Sequence, residues 1–170
     1  MIVWLHGAFG AGKTSVAAEL RRRRPHAVAY DPEVVGYLLM QCLPVPTGDF
    51  QDLPEWRELV VAAGAALDGG GRRLVLVPMT LLREDYAGEV FAGLAGRGVP
   101  VCQVLLDVSD EELTRRIRTD AAEPGACEWR LEHLPAYAAA RGWLTATVDR
   151  TVDTTALTVE QVADEVQAAL

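Results

Sequence analysis

The sequence has little positive charge. Over 170 residues, 16 lysines and arginines stand against 24 aspartates and glutamates, a formal net charge of -8. Proteins that grip nucleic-acid phosphates need a basic face to displace counterions, so no nucleic-acid partner is expected. The one basic run, Arg21 to Arg24, is too local for that role. It falls where a first helix should end, and cations there oppose the negative end of the helix dipole while staying solvated. Cysteine is also scarce. Cys42, Cys102 and Cys127 are odd in number and widely spaced, which excludes a disulfide framework or a metal-ligand cluster and suits reduced thiols. No stretch reaches the roughly 18 to 20 apolar residues of a membrane span, and a first strand starting at Ile2 leaves no room for a signal peptide. The expectation is a cytoplasmic protein with no membrane partner.

Half of the residues are apolar and 24% are charged, as in an ordinary globular chain and unlike a disordered or collagen-like one. The length suits one domain, residues 1–170, with a full core. No repeats or low-complexity tracts interrupt it.

Apolar runs and helical periodicity alternate along the chain. Ile2 to His6 reads as a strand stopped by glycines, followed by a helix over Lys13 to Arg23 with Val16, Ala17 and Leu20 on one face. Ala27 to Tyr30 is a second strand. Asp31-Pro32 then caps and starts a helix running to about Cys42, since proline suits the first helical position. Leu43 to Asp52 is a loop, and Pro54 to Leu67 a helix ended by Gly69-Gly70-Gly71. Leu74 to Val77 and Val101 to Leu106 are continuous apolar strands of the kind covered on both faces, with a helix over Glu84 to Ala95 between them. A charged helix over Asp110 to Arg118 leads into a polar segment, from which a small lid over about 119–130 is expected. A helix near Trp129 to Ala140, a strand around Arg150 to Thr154 and a closing helix over Thr158 to Ala169 complete the chain, the last begun by a Thr-Val-Glu-Gln cap. This order predicts a three-layer α/β P-loop NTPase fold, five parallel strands with helices on both faces, like the nucleoside-monophosphate kinases. Its ligand site should lie at the carboxyl ends of the strands.

The chemistry is carried by Gly7-Ala-Phe-Gly-Ala-Gly12-Lys13-Thr14, which matches G-x-x-x-x-G-K-[ST] at every fixed position, between an expected strand and an expected helix. Glycines let backbone N–H groups converge on phosphates, and the positive helix end adds to the attraction. Gly7, Phe9, Gly10, Ala11, Gly12, Lys13, Thr14 and Ser15 are therefore expected to bind ATP. Lys13 should bridge the outer phosphates, and the Thr14 hydroxyl should hold Mg2+. A chance glycine turn would not require both Lys and Thr at those offsets.

Transfer of a phosphoryl group to an alcohol needs a group that orients the hydroxyl and accepts its proton. Asp31, at the carboxyl end of the second strand, is the candidate; capping the next helix is the competing explanation, and one residue can do both. Asp107, ending the fourth strand, is the alternative. Arg115 and Arg118, three residues apart, share a helix face leading into the lid, whose closure is expected to bring both onto the phosphates of ATP. Arg118 in particular is expected to stabilise charge on the transferred group, and a solvated helix end is the competing explanation. Tyr37, Trp56, Arg57 and Trp129 suit a pocket for a ring-bearing polar substrate, while any one aromatic is equally explained as core. Val77-Pro78-Met79-Thr80 closes the third strand without the acidic residue found there in many P-loop proteins, which disfavours a dedicated hydrolase or motor.

The opening Ile-Val-Trp-Leu-His-Gly-Ala-Phe-Gly-Ala-Gly-Lys-Thr, Tyr30-Asp31-Pro32-Glu33, Trp56-Arg57, Val77-Pro78-Met79-Thr80 and the helix ending at Arg118 together resemble the ATP-binding tunicamycin-resistance protein family. That family is itself similar to small nucleoside kinases and antibiotic phosphotransferases. The resemblance covers nearly the whole chain, with His6 where that pattern has asparagine. It implies resistance to a nucleoside antibiotic such as tunicamycin or capuramycin, with Asp31 matching the base of the related phosphotransferases and Thr80 near the substrate. Three activities follow as expectations: an antibiotic O-phosphotransferase using Lys13, Asp31 and Arg118, an ATP-dependent protein that sequesters the drug, or a housekeeping nucleotide or sugar kinase.

Overall fold

The computed structural model describes residues 1–121 and 124–170. Five strands form one parallel sheet, β1 (Ile2–His6), β2 (Val28–Ala29), β3 (Val75–Val77), β4 (Val101–Asp107) and β5 (Arg150–Asp153), in the order β2-β3-β1-β4-β5. The central strand β1 pairs Ile2 with Val75 on one side and with Val101 on the other. All five residues of β1 are buried, and the period-2 geometry of a strand sends alternate residues to opposite faces. Val3 and Leu5 enter a core with α1 (Lys13–Arg23), α5 (Asp110–Thr119), α7 (Leu134–Thr147) and α8 (Val159–Gln167). Ile2 and Trp4 enter a second core with α2 (Glu33–Cys42), α3 (Pro54–Asp68) and α4 (Glu84–Gly96). The expected three-layer fold is therefore present.

Most element boundaries agree with the sequence to within one or two residues. Strand β2 is shorter than expected, yet Val28 N–H and Tyr30 N–H still donate to Leu74 and Leu76 carbonyls, so the edge pairing extends beyond the formal strand. The loop before α3 contains a 3-10 turn at Phe50–Asp52. The single helix expected over Trp129 to Ala140 is two, α6 (Cys127–Glu132) and α7. His133 joins them, and Pro135, in the first turn of α7, lacks the N–H that a continuous helix would need. The lid expected over 119–130 includes residues 122 and 123, which lie outside the described residues. Its described part comprises the end of α5, a 3-10 turn at Pro124–Ala126 and the start of α6. Among the described residues no helix is long and apolar enough to cross a membrane.

Arg23 departs from the solvated helix end expected of its run. It bridges Glu19 on its own helix to Asp164, Gln167 and the Glu160 carbonyl of α8, pinning the two helices together. Helix α2 is held on its inner side by close packing: a Cβ on Gly36 would lie 2.4 Å from the Phe50 ring. Gly36→Ala is expected to push that ring out of place and to destabilise the fold by about 1 to 3 kcal/mol, the range for overpacking. Urea denaturation of the variant would check it, and an unchanged midpoint would mean that Phe50 moves freely.

Candidate functional site

The turn from β1 into α1 is shaped by three glycines at positive φ: Gly7 at 145°, Gly10 at 89° and Gly12 at 93°. At Gly7 a side chain has no room, since a Cβ would meet the Leu106 carbonyl oxygen at 2.7 Å. At Gly12 a Cβ would meet nothing within 4 Å, so that position faces open space, as a cradle for a ligand must. Helix α1 has no side-chain N-cap and no acidic residue in its first turn. Its leading N–H groups are thus left for an anion, and the helix dipole favours one. Thr14 and Ser15 are exposed in that first turn. The loop's geometry and chemistry fit the phosphates of ATP, with the Thr14 hydroxyl free for a magnesium ion.

Lys13 is half-buried beneath this loop, and Nζ donates to the Gly7 and Ala8 carbonyls, each at 2.9 Å. Burial pulls its ammonium down to about 8, the Glu33 carboxylate raises it, and the Arg130 cation lowers it further. Those last two influences place Glu33 of α2 and Arg130 of α6 in the electric field of the P-loop lysine. Sequence reasoning singled out neither residue. One signal was available in the composition: Lys13 is the only lysine in the chain.

Thr80, expected near the substrate, reaches the loop itself. Its hydroxyl accepts from Gly7 N–H at 3.0 Å and donates to the Gly7 carbonyl, while Gln51 Nε2 donates to the Thr80 carbonyl. The position where other P-loop proteins carry an acid here fixes the entrance to the P-loop. Asp31 is exposed at the end of β2, and its Oδ1 accepts Glu33 N–H at 2.9 Å, so it does cap the start of α2. Tyr37 is exposed and donates to Glu33 from one helical turn on.

Two of the residues expected around a substrate, Trp56 and Arg57, are buried. Trp56 is fully buried in the core, and its indole N–H donates to the Pro32 carbonyl at 3.0 Å. It supports the Asp31–Glu33 segment from behind and does not line an open wall. Arg57 is buried too, paired with Glu89, bonded to the Gln51 carbonyl and stacked 4.0 Å over the Tyr86 ring. Trp129 is half-exposed and packs on the P-loop's Phe9. Asp107 is engaged by Arg141 at 2.6 Å and by the Tyr137 hydroxyl. Arg115 pairs with Glu112 on the outer face of α5. Arg118 is exposed and has no ion pair among the described residues. Arg116, between them, ties α5 to the Thr154 carbonyl beyond β5.

His6, directly before the loop, is fully buried. Nε2 faces Gln103 Oε1 at 3.3 Å, and Nδ1 has no hydrogen-bond partner. Burial drives its pKa from 6.5 to about 3; the Gln103 contact raises it and the Lys13 charge lowers it. The ring is therefore neutral in the folded protein. Between pH 6.5 and about 3 the unfolded chain carries the extra proton, so this contribution to stability is full above 6.5 and is lost as pH falls. The expected slope is about 1.4 kcal/mol per pH unit, and denaturant titrations across that range should show it in the wild type and not in His6→Gln. An identical slope in both would assign the acid sensitivity to other groups.

A family profile described as an AAA domain matches residues 2–142, which takes in the P-loop, every strand but β5 and most of α7. The chain belongs to this family. No curated protein matches the sequence. Among solved structures, the Deinococcus radiodurans tunicamycin resistance protein is 29% identical, with a TM-score of 0.74 over 98% of this chain and 93% of that one. The family resemblance read from the sequence therefore holds. The Mycobacterium tuberculosis APS kinase CysC, solved with AMPPNP and APS, is 23% identical with a TM-score of 0.67, covering 99% and 95% of the two chains. Shikimate kinase from Aquifex aeolicus is 18% identical with a TM-score of 0.63 over 99% and 95%. This AAA-domain chain has the fold and the P-loop of the ATP-dependent small-molecule kinases.

Proposed function

We propose that the protein transfers the terminal phosphate of ATP to a hydroxyl group of a small molecule, and that the acceptor is a nucleoside antibiotic. The observation that supports this reading is that a carboxylate at the start of α2 acts electrostatically on the P-loop lysine. Glu33 lies in the field of Lys13, and Asp31 is bonded to the same turn. A hydroxyl entering between α2 and the P-loop meets a proton acceptor on one side and the phosphate cradle on the other.

In this reading Lys13 leaves the Gly7 and Ala8 carbonyls and turns to the outer phosphates. Arg130 approaches the same anion from α6 and takes the part that the sequence suggested for Arg118. Glu33 accepts the hydroxyl proton as the new oxygen–phosphorus bond forms and the bond to ADP breaks. Asp31, which the sequence put forward as the base, orients Glu33 through its backbone N–H. Magnesium, when bound, draws charge from the phosphate oxygens, and Thr14 is the residue to hold it. Tyr37, next to Glu33, is the aromatic residue best placed to meet the acceptor. The antibiotic class is supported by the likeness to the Deinococcus radiodurans tunicamycin resistance protein.

The test is to incubate the purified protein with ATP, magnesium and a panel of nucleoside antibiotics that includes tunicamycin and capuramycin, and to follow each drug by mass spectrometry. One drug gaining a single phosphate is the expected outcome. Tight binding with every drug mass unchanged would replace transfer by sequestration. Neither binding nor modification would point to a metabolite as the acceptor.

A further inference from the structure

Lys13 and Arg130 are like charges in one region, and the Arg130 cation lowers the Lys13 pKa. Packing must therefore keep α6 near the P-loop. Cys127 and Leu131 sit on the core that includes Ala8 and Ala11, and the contacts to the P-loop's Phe9 are aromatic. Phe9, the third residue of the P-loop, meets Trp129 edge to face, with ring centroids 4.5 Å apart and planes at 67°. It also meets His133 at 5.7 Å and 84°. Trp129 and His133, one helical turn apart across the end of α6, lie 4.0 Å apart at 34°. His133 Nδ1 donates to the Trp129 carbonyl at 2.6 Å, which fixes the turn that carries both rings. The Lys13 ammonium lies 5.5 Å from the Phe9 ring centroid, on its face, so the same ring touches the lysine and the stack. Arg130 follows Trp129 directly, and its guanidinium is steered by an ion pair with Asp120.

We propose that the Phe9–Trp129–His133 stack is a positioning device that holds Arg130 against the P-loop, so that Lys13 and Arg130 form a two-cation cradle for the outer phosphates of a nucleotide. This rests on the P-loop reading above and adds residues that act through Arg130. Edge-to-face rings suit the task because their attraction is directional and costs no charge. The stack thus keeps in place two cations that repel one another until an anion arrives between them. Trp129 is a positioning residue in this scheme.

The experiment is a double-mutant cycle on ATP binding, read by titration calorimetry with wild type, Trp129→Ala, Arg130→Gln and the combined variant, together with Trp129→Phe. Trp129 is 47% exposed, so its removal leaves the core intact, and matching melting temperatures would confirm that. Trp129→Ala should weaken ATP roughly tenfold, about the loss of one charge-assisted contact, and Trp129→Phe should restore most of it. In the Arg130→Gln background Trp129→Ala should have no further effect, because Trp129 acts only through Arg130. Additive losses, or unchanged affinity in Trp129→Ala, would overturn the positioning role while leaving the P-loop reading in place. A wild-type protein that binds no nucleotide would overturn both.

Discussion

Lys13→Ala is expected to abolish phosphoryl transfer, lowering kcat/KM for ATP by roughly 10²-fold or more, the scale of removing one preorganised charge contact at a developing anion. The argument is structural. Lys13 is the one residue that contacts the loop carbonyls, lies under the Phe9 ring and shares a field with both Glu33 and Arg130. Fold stability should fall little or even rise, because a half-buried ammonium whose pKa is pulled down to about 8 is held at some cost. A coupled assay of ADP release, with calorimetry for ATP affinity, checks both halves. A variant that still turns over at wild-type rate would remove the P-loop from the chemistry.

The second large effect separates the two carboxylates of α2. Glu33→Gln should reduce kcat by roughly 10²-fold or more, the range for loss of a general base, with ATP affinity nearly unchanged. Asp31→Asn should cost much less, since an asparagine oxygen can still accept the Glu33 N–H that Asp31 accepts now. The reversed ranking, with Asp31→Asn the crippled enzyme, would return the base to Asp31. Single-turnover measurements with saturating ATP distinguish these cases, because they exclude product release from the rate.

These two residues mark where the sequence stops being informative. The P-loop was legible because its signature is local: two glycines, a lysine and a threonine at fixed offsets, between a five-residue apolar strand and an amphipathic helix. The parallel sheet was legible for a similar reason, since strands covered on both faces read as unbroken apolar runs. The capping box at Thr158 was read correctly and is present. Glu33 was quoted only within the Tyr30-Asp31-Pro32-Glu33 motif, because its electrostatic influence on Lys13 comes from the folded arrangement, which no spacing reveals. Trp56 was read as pocket-lining, but period alone could not tell the buried side of α3 from an open wall. Helices α6 and α7 were merged because Leu131, Leu134, Tyr137 and Ala140 continue a helical apolar spacing across the junction. Pro135 was the one available sign of a restart. Arg57 and Thr80 had been grouped with the substrate. The structure ties Arg57 to Glu89 and Thr80 to Gly7, contacts made between elements far apart in the chain.

The chain's only lysine is Lys13, whose ammonium is bonded to the P-loop carbonyls. With that amine close to half deprotonated near pH 8, reagents that acylate lysine side chains have one to find. Biotinylation, dye attachment or capture on an activated-ester surface would therefore silence the protein in proportion to the label carried by Lys13, and bound ATP would slow labelling there. Attachment through the exposed thiol of Cys42 would leave the P-loop lysine untouched.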